Sequence, residues 1–319
     1  LYRQSEIYAR QGVVLSRSVL SGWVDTCCRL MAPLDEALYH YVMNCRKLHT
    51  DDTPVPVLAP GRKKTKTGRI WTYVRDDRNA GSSDPPAAWF AYSPDRQGKH
   101  PELHLRSFRG VLQADAFAGY DRLFSTSREG GVLTEAACWA HARRKIHDVY
   151  ISSQSATAEE ALKRIGELYA IEAEIRGMPE TERLAARQSR SAPLLASLHE
   201  WMVEKSATLS KKSRLGEAFT YALNQWDALC YYCRDGLAEP DNNAAERALR
   251  AVCLGKKNYI FFGSDHGGER GALLYGLIGT CRLNGIDPEA YLRHILSVLP
   301  EWPSNRVGEL LPWNVAIPA

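Results

Sequence analysis

Pro240-Asp241-Asn242-Asn243-Ala244-Ala245-Glu246-Arg247-Ala248-Leu249-Arg250 is the stretch around which the chain organises itself. It reads as the opening turns of a helix. Asp241 or Asn242 can cap the free N–H groups, and the alanines propagate the helix cheaply. Ala245, Leu249 and Val252 recur at i, i+4, i+7 and predict a buried stripe. Asn242, Glu246 and Arg250 fall four apart on a neighbouring face. Glu246 is there either as a solvated charge paired with Arg250 or as a functional acid. The choice turns on acids carried elsewhere in the chain.

Upstream, residues 46–58 are extended, because Pro54 and Pro56 exclude helix and place the strand at an edge or at its end. A basic loop follows, with Arg62, Lys63, Lys64, Lys66 and Arg69 between Gly61 and Arg69. Ile70-Trp71-Thr72-Tyr73-Val74 and Ala88-Trp89-Phe90-Ala91-Tyr92 are strands of β-branched and aromatic residues, joined by a turn-rich link. Three strands so connected predict an antiparallel meander. A short helix over 101–107 leads to Gly110–Asp115, a buried strand ending in an acid, with Gly119-Tyr120 as a turn. Val132 to Trp139 is a further apolar segment, and a helix opens at Ala140-His141-Ala142-Arg143-Arg144-Lys145. The fold class is α/β: a mixed five-stranded sheet with flanking helices.

Residues 156–235 keep helical spacing at Leu162/Ile165/Tyr169, Leu195/Leu198/Met202 and Leu215/Phe219/Ala222/Trp226/Cys230, which predicts an all-helical insertion. After the central stretch, Leu274, Leu277 and Cys281 mark a helix stopped at Gly285, and Asp287-Pro288 starts a last one. At the other end, residues 4–27 read as two helices about Gly12, the second starting at Ser16 or Ser18 with a stripe of Leu20, Trp23 and Val24. This is helix-turn-helix-like or a plain helical hairpin. The expected segments are 1–45 (helical, with connector), 46–155 (first part of the core), 156–238 (insertion), 239–284 (end of the core with the Glu246 helix) and 285–319 (last helix and tail).

The 319 residues suffice for two domains or one domain with an insertion. The 45% apolar and 24% charged content is that of an ordinary globular protein. A net charge of +4 is compatible with nucleic acid without requiring it. No apolar run approaches the roughly 20 residues of a membrane span. Eight cysteines without a regular framework suggest a reducing cytoplasm. The start at Leu1 suggests a fragment of something longer.

Asp51 (or Asp52) on the first strand, Asp115 at the end of the fourth and Glu246 on a late helix meet only if strand tips emerge side by side under that helix. Three carboxylates together repel unless cations lie between them, and hard oxygen donors select Mg²⁺ or Mn²⁺ over zinc. Two such ions about 4 Å apart serve phosphoryl transfer. His49-Thr50-Asp51-Asp52-Thr53-Pro54-Val55, Leu112-Gln113-Ala114-Asp115 with Gly119-Tyr120, Cys138-Trp139-Ala140-His141-Ala142-Arg143-Arg144-Lys145 and Asn242 to Arg250 resemble, in order, the motifs of the DDE transposases of the insertion-sequence sixty-six group.

The resemblance implies a ribonuclease-H-like core with a helical insertion before the last catalytic helix. It implies Asp51, Asp115 and Glu246 as catalytic acids and metal ligands, two Mg²⁺ or Mn²⁺ ions, and DNA (transposon ends and target) as partner. It further implies a homo-oligomer on DNA and a cytoplasmic, nucleoid-associated location. The family shows Asp-Glu where this chain has Asp51-Asp52. Alternation lets only one of the pair face the site, and motif position favours Asp51. His141, Arg143 and Arg144 are candidates to position phosphates; Asn243, Arg247 and Arg250 are candidates to orient Glu246 or touch DNA. Their bland readings are a solvated helix start, helix capping and an ion pair. Cys230-x-x-Cys233 continues an apolar stripe and reads as core. The rival readings are a catalytically inactive, truncated transposase-derived DNA-binding protein and a two-carboxylate hydrolase.

Overall fold

The computed structural model describes residues 1–61, 63–210 and 212–316; Arg62 of the basic loop lies outside them. Five strands, β1 (Lys47–Val57), β2 (Lys66–Arg75), β3 (Ala87–Ser93), β4 (Val111–Gln113) and β5 (Thr134–Ala136), form one sheet in the order β3-β2-β1-β4-β5. The first three make the antiparallel meander, and β4 and β5 add parallel to β1. With helices on both faces this is the ribonuclease-H-like arrangement that the sequence predicts. β1 is central where it pairs with β4, over Lys47–His49 only. Beyond that it has β2 on one side, so Pro54 and Pro56 turn their N–H-less edge away from β2 without breaking a ladder. The backbone of Phe262 then borders that open side: its N–H donates to the Pro56 carbonyl at 2.9 Å.

Strand alternation divides the core. On one face Leu48, Trp71, Tyr73 and Ala91 pack against α2 (Arg17–Met43), α11 (Asp265–Leu283) and α12 (Pro288–Val298). On the other, Val55, Val57, Ile70, Val74 and Phe90 meet Leu249 and Val252 of α10 (Asn243–Tyr259) and Ala272 of α11. Each large side chain so buried contributes about 1.5–3 kcal/mol. Between β3 and β4 lies α3 (Lys99–His104). Between β5 and α10 lie α4 (Trp139–Ser153), α5 (Ala156–Glu174), α6 (Glu180–Ala186), a π-helical turn (Arg187–Ser191), α7 (Ala192–Thr208), α8 (Arg214–Asn224) and α9 (Trp226–Cys230). They share a core of their own that includes Ile146, Ile165, Leu198, Phe219 and the half-buried Cys230 beside buried Cys233, and it adjoins the sheet at Val111 and Ala136.

Ahead of them, α1 (Tyr2–Arg10) buries no residue, and α2 starts at Ser16, whose hydroxyl accepts from the Val19 N–H. Trp23, expected on the stripe with Leu20, is exposed, because α1 does not cover it. Asp287 caps α12 as expected, accepting from the Ala290 N–H at 2.7 Å. Lys66 and Arg69, expected in the loop, belong to β2, and Lys66 pairs with Asp265. Among the described residues no helix is long and apolar enough to cross a membrane.

Candidate active site at the junction of β1, β4 and α10

The start of α10 is fixed by a residue that its sequence position disguises. Asn242 occupies the N-cap position but its side chain makes no cap hydrogen bond. It is fully buried. Its Nδ2 donates to the Thr50 carbonyl of β1 at 2.8 Å, its Oδ1 lies 3.1 Å from His49 Nδ1, and its backbone N–H donates to Cys138 Sγ at 3.2 Å. One side chain therefore ties α10 to β1, and its backbone ties α10 to the turn before α4. His49 is wholly buried, which pulls its pKa down to about 3, so the ring is neutral and pairs with a neutral amide. The capping is done instead by Asp241, which accepts from the Asn243 N–H at 3.1 Å and from Asn243 Nδ2 at 2.7 Å. Gln113 of β4 completes the seam: it donates to the Glu239 carbonyl and accepts from the Glu239 N–H.

That seam sets the register of the acids. Asp51 shares the α10 side of β1 with His49, Thr53 and Val55, while Asp52 points to the opposite side. There the Asp52 side chain, 1% exposed, is neutralised by Arg69 at 3.0 Å and Arg96 at 2.8 Å. Asp51 has no arginine partner among the described residues; its Oδ1 accepts only the Asp52 N–H. Burial and then the neighbouring Asp115 push its pKa up to about 7, with smaller contributions from Asp52 and Glu246. Asp115 lies two residues past the end of β4, which is shorter than the sequence predicts. Burial raises its pKa, opposed by Arg96 and His141.

Glu246, one turn into α10, does not pair with Arg250. It lies 3.6 Å from His141 Nε2 and 3.4 Å from Arg144, both on α4. The expected i, i+4 ion pair fails because α4 offers Arg144 and the His141 ring to the carboxylate instead. Arg250 is exposed and makes no ion pair or hydrogen bond among the described residues. Arg143 is exposed on α4, on the side that faces Tyr169 of α5. Arg247 lines a 350 Å³ pocket with Glu239, Asp241 and Asn243.

Three buried atoms in this region have no hydrogen-bond partner: Asp115 Oδ1, Glu246 Oε1 and His141 Nδ1. Buried polar atoms are rarely left so. Carboxylate oxygens left free in this way suit a hard divalent cation. The tightest cluster of ligand types among the described residues is a different one: Cys138, His141 and Glu246 bring one donor atom each within 4.8 Å of one another. The three acids are more widely spaced than that, as like charges favour. Sulfur and imidazole in that cluster suit zinc. The buried Cys138 thiol, however, is pushed up to about 12 by burial and already accepts the Asn242 N–H, so it is a poor ligand as it stands.

The frame is a ribonuclease-H-like sheet with one acid midway along β1, not at its tip as expected, a second two residues past β4 and a third on the helix packed across them. The comparisons name the family. The model of the "Transposase IS66 family" matches residues 1–270 and that of the "IS66 C-terminal element" matches residues 276–313; the chain belongs to the IS66 transposase family. It is 40% identical over 326 residues to y4hP, an uncharacterized protein of Sinorhizobium fredii, and 36% identical over 318 residues to y4qI of the same organism. Each match covers 98% of this chain and 59% of the relative, so the chain spans about three-fifths of the length of these relatives. YuaK of Escherichia coli, also uncharacterized, matches over 58 residues at 41% identity, 18% of this chain and 62% of the relative.

Reading the sequence from spacing alone misses His49 and Asn242 as a clamp, Arg96 as the partner of Asp52 and Gln113 as a bridge to Glu239. His49, Asn242 and Gln113 lie inside the quoted motifs, which was the available signal. Arg96 carried none.

Proposed function

We propose that the chain cleaves and transfers DNA strands for an insertion sequence, using Asp51, Asp115 and Glu246 as its catalytic acids. The observation that carries the reading is the difference between adjacent residues: Asp52 has two arginines, whereas Asp51 shares its field with Asp115 and Glu246 and with their unpartnered oxygens. Charge left unneutralised at that burial is unstable on its own terms and favourable around a cation.

Mg²⁺ or Mn²⁺ ions, two in number, fit this donor set; when bound they would activate the attacking oxygen and stabilise the leaving one. The chain's own residues hold the three carboxylates at fixed register, and the Asn242 clamp keeps α10 from sliding along β1. His141 and Arg144 orient the Glu246 carboxylate, and Arg144 lends positive charge to a phosphate beside it. Arg143, Asn243, Arg247 and Arg250 stand along the same surface as further DNA contacts. DNA ends and target DNA are the partners, and joining two ends requires at least two copies of the chain on DNA.

Glu246→Gln keeps the shape and removes the charge. Strand cleavage should fall roughly a thousandfold, the several kcal/mol of metal-assisted stabilisation at about 1.4 kcal/mol per tenfold, with the melting temperature unchanged or higher. Undiminished cleavage by the folded variant, or nicking that persists in excess chelator, sinks the proposal. DNA binding without nicking by the unaltered chain favours the inactive, transposase-derived binding protein instead.

A further inference from the structure

Between α4, α5 and the start of α10 runs a cleft of about 560 Å³, within the range of about 300–1,000 Å³ typical of ligand sites. One wall is basic: Arg143, Arg144 and His147 project from one face of α4. The facing wall is Gly166 and Tyr169 of α5, and Asn243 closes the inner end. No carboxylate lines it, whereas the adjoining 350 Å³ pocket, which shares Tyr169 and Asn243, is lined by Asp76, Glu172, Glu239 and Asp241. The cleft leads to the acids, since Arg144 reaches Glu246.

Gly166 is the informative residue. Glycine is a poor helix former, and several glycines inside these helices are held to that residue by a close neighbour. A Cβ on Gly216 would meet the Ser210 carbonyl at 2.4 Å, and one on Gly255 the Tyr275 hydroxyl at 2.3 Å. A Cβ on Gly166 would meet nothing within 4 Å. Gly22 of α2 shares that freedom but is not part of this cleft. No packing constraint keeps Gly166 a glycine, and its backbone is left open to close approach from the cleft. Three residues on, the Tyr169 hydroxyl is turned inward to Asp241, which leaves its ring as the wall of the cleft.

We infer that this cleft takes one nucleotide of a DNA strand running to the acids, its phosphate held by Arg143, Arg144 and His147 and its sugar and base lying over Gly166 against Tyr169. The helical insertion is then a wall of the substrate path as well as a spacer. Arginine grips phosphate through paired N–H groups, and an aromatic ring supports a base of any sequence. The inference rests on the DNA-cleaving reading.

The test measures binding, in chelator, so that catalysis plays no part. A fluorescein-labelled single-stranded oligothymidylate is titrated with the unaltered chain, with Gly166→Leu, which fills the cleft with a good helix former, and with Ala207→Leu, which adds bulk to an exposed position of α7. Gly166→Gln repeats the block with a polar side chain, should the leucine impair folding. Gly166→Leu and Gly166→Gln should weaken binding about tenfold, in the range that losing one stacked base gives, while Ala207→Leu binds as the unaltered chain does. Binding undisturbed by both Gly166 variants overturns the cleft assignment and leaves the function standing. An unaltered chain that binds no DNA overturns both.

Discussion

Two charged clusters flank the Asn242 clamp, and they are built on opposite principles. On the side toward the helical insertion, Lys47, Asp77, Glu239, Arg183, Glu172 and Arg187 form a chain of ion pairs in which every charge has an opposite partner within 4.0 Å. Lys47 and Arg187 are completely buried there. Arg187 grips Glu172 through two nitrogens at 2.8 and 2.7 Å and gives its remaining nitrogen to the carbonyls of Tyr232, Asp235, Gly236 and Ala238. It thereby shapes the return of the chain into α10. On the other side Asp115 reaches Arg96 at 4.0 Å and Glu246 reaches Arg144 at 3.4 Å, but Asp51, between them in the fold, has no cation within that distance among the described residues, and an oxygen of each of the other two accepts no hydrogen bond. A closed network holds the fold. An open one stores a demand for something the chain does not itself supply.

The comparison breaks if the closed cluster proves dispensable. Arg187→Ala leaves Glu172 with Arg183 alone, at 3.6 Å, and deprives four carbonyls of their donor, and removing one partner of a buried pair costs about 3–5 kcal/mol. Chemical denaturation should show that loss, with cleavage by the surviving folded fraction reduced little per molecule. A loss below about 1 kcal/mol would mean that the network is ornamental to stability.

The open cluster should behave in the reverse sense. The Asp51 pKa is raised to about 7 in the folded chain, above its ordinary 3.8. The folded state therefore holds a proton that the unfolded state has released between those values, and stability falls as pH rises from about 4 to about 7. Asp51→Asn should remove most of this fall, being no less stable than the parent at neutral pH while losing cleavage. Denaturation midpoints measured across that pH range check it; a parental curve that rises through the window contradicts the assignment of the shift.

Much of the sheet was legible because alternation is a local property. Trp71 and Tyr73 against Ile70 and Val74 announce two buried faces, and the Asp51-Asp52 pair already says that one acid must turn away. What spacing could not say was which one, since the answer lies with Arg69 and Arg96, one of them beyond the next two strands. Asp241 and Asn242 are equal candidates for the cap, since both residue types commonly cap helices; only the approach of β1 converts Asn242 into a buried clamp and leaves the cap to Asp241. Lys47, Arg183 and Arg187 were invisible for a related reason. Long charged side chains are surface residues by default, and their burial depends on partners that only tertiary packing delivers. The glycine of α5 passed unnoticed because a helix tolerates one, and its meaning appears only when the space above it is seen.

The most direct test of the central claim is anomalous diffraction from crystals soaked in Mn²⁺. The account predicts manganese bound by carboxylate oxygens of Asp51, Asp115 and Glu246 together, with Asp52 still held by Arg69 and Arg96. Manganese confined to Cys138 and His141 or to surface acids, with Asp51 and Asp115 taking no part, would contradict it.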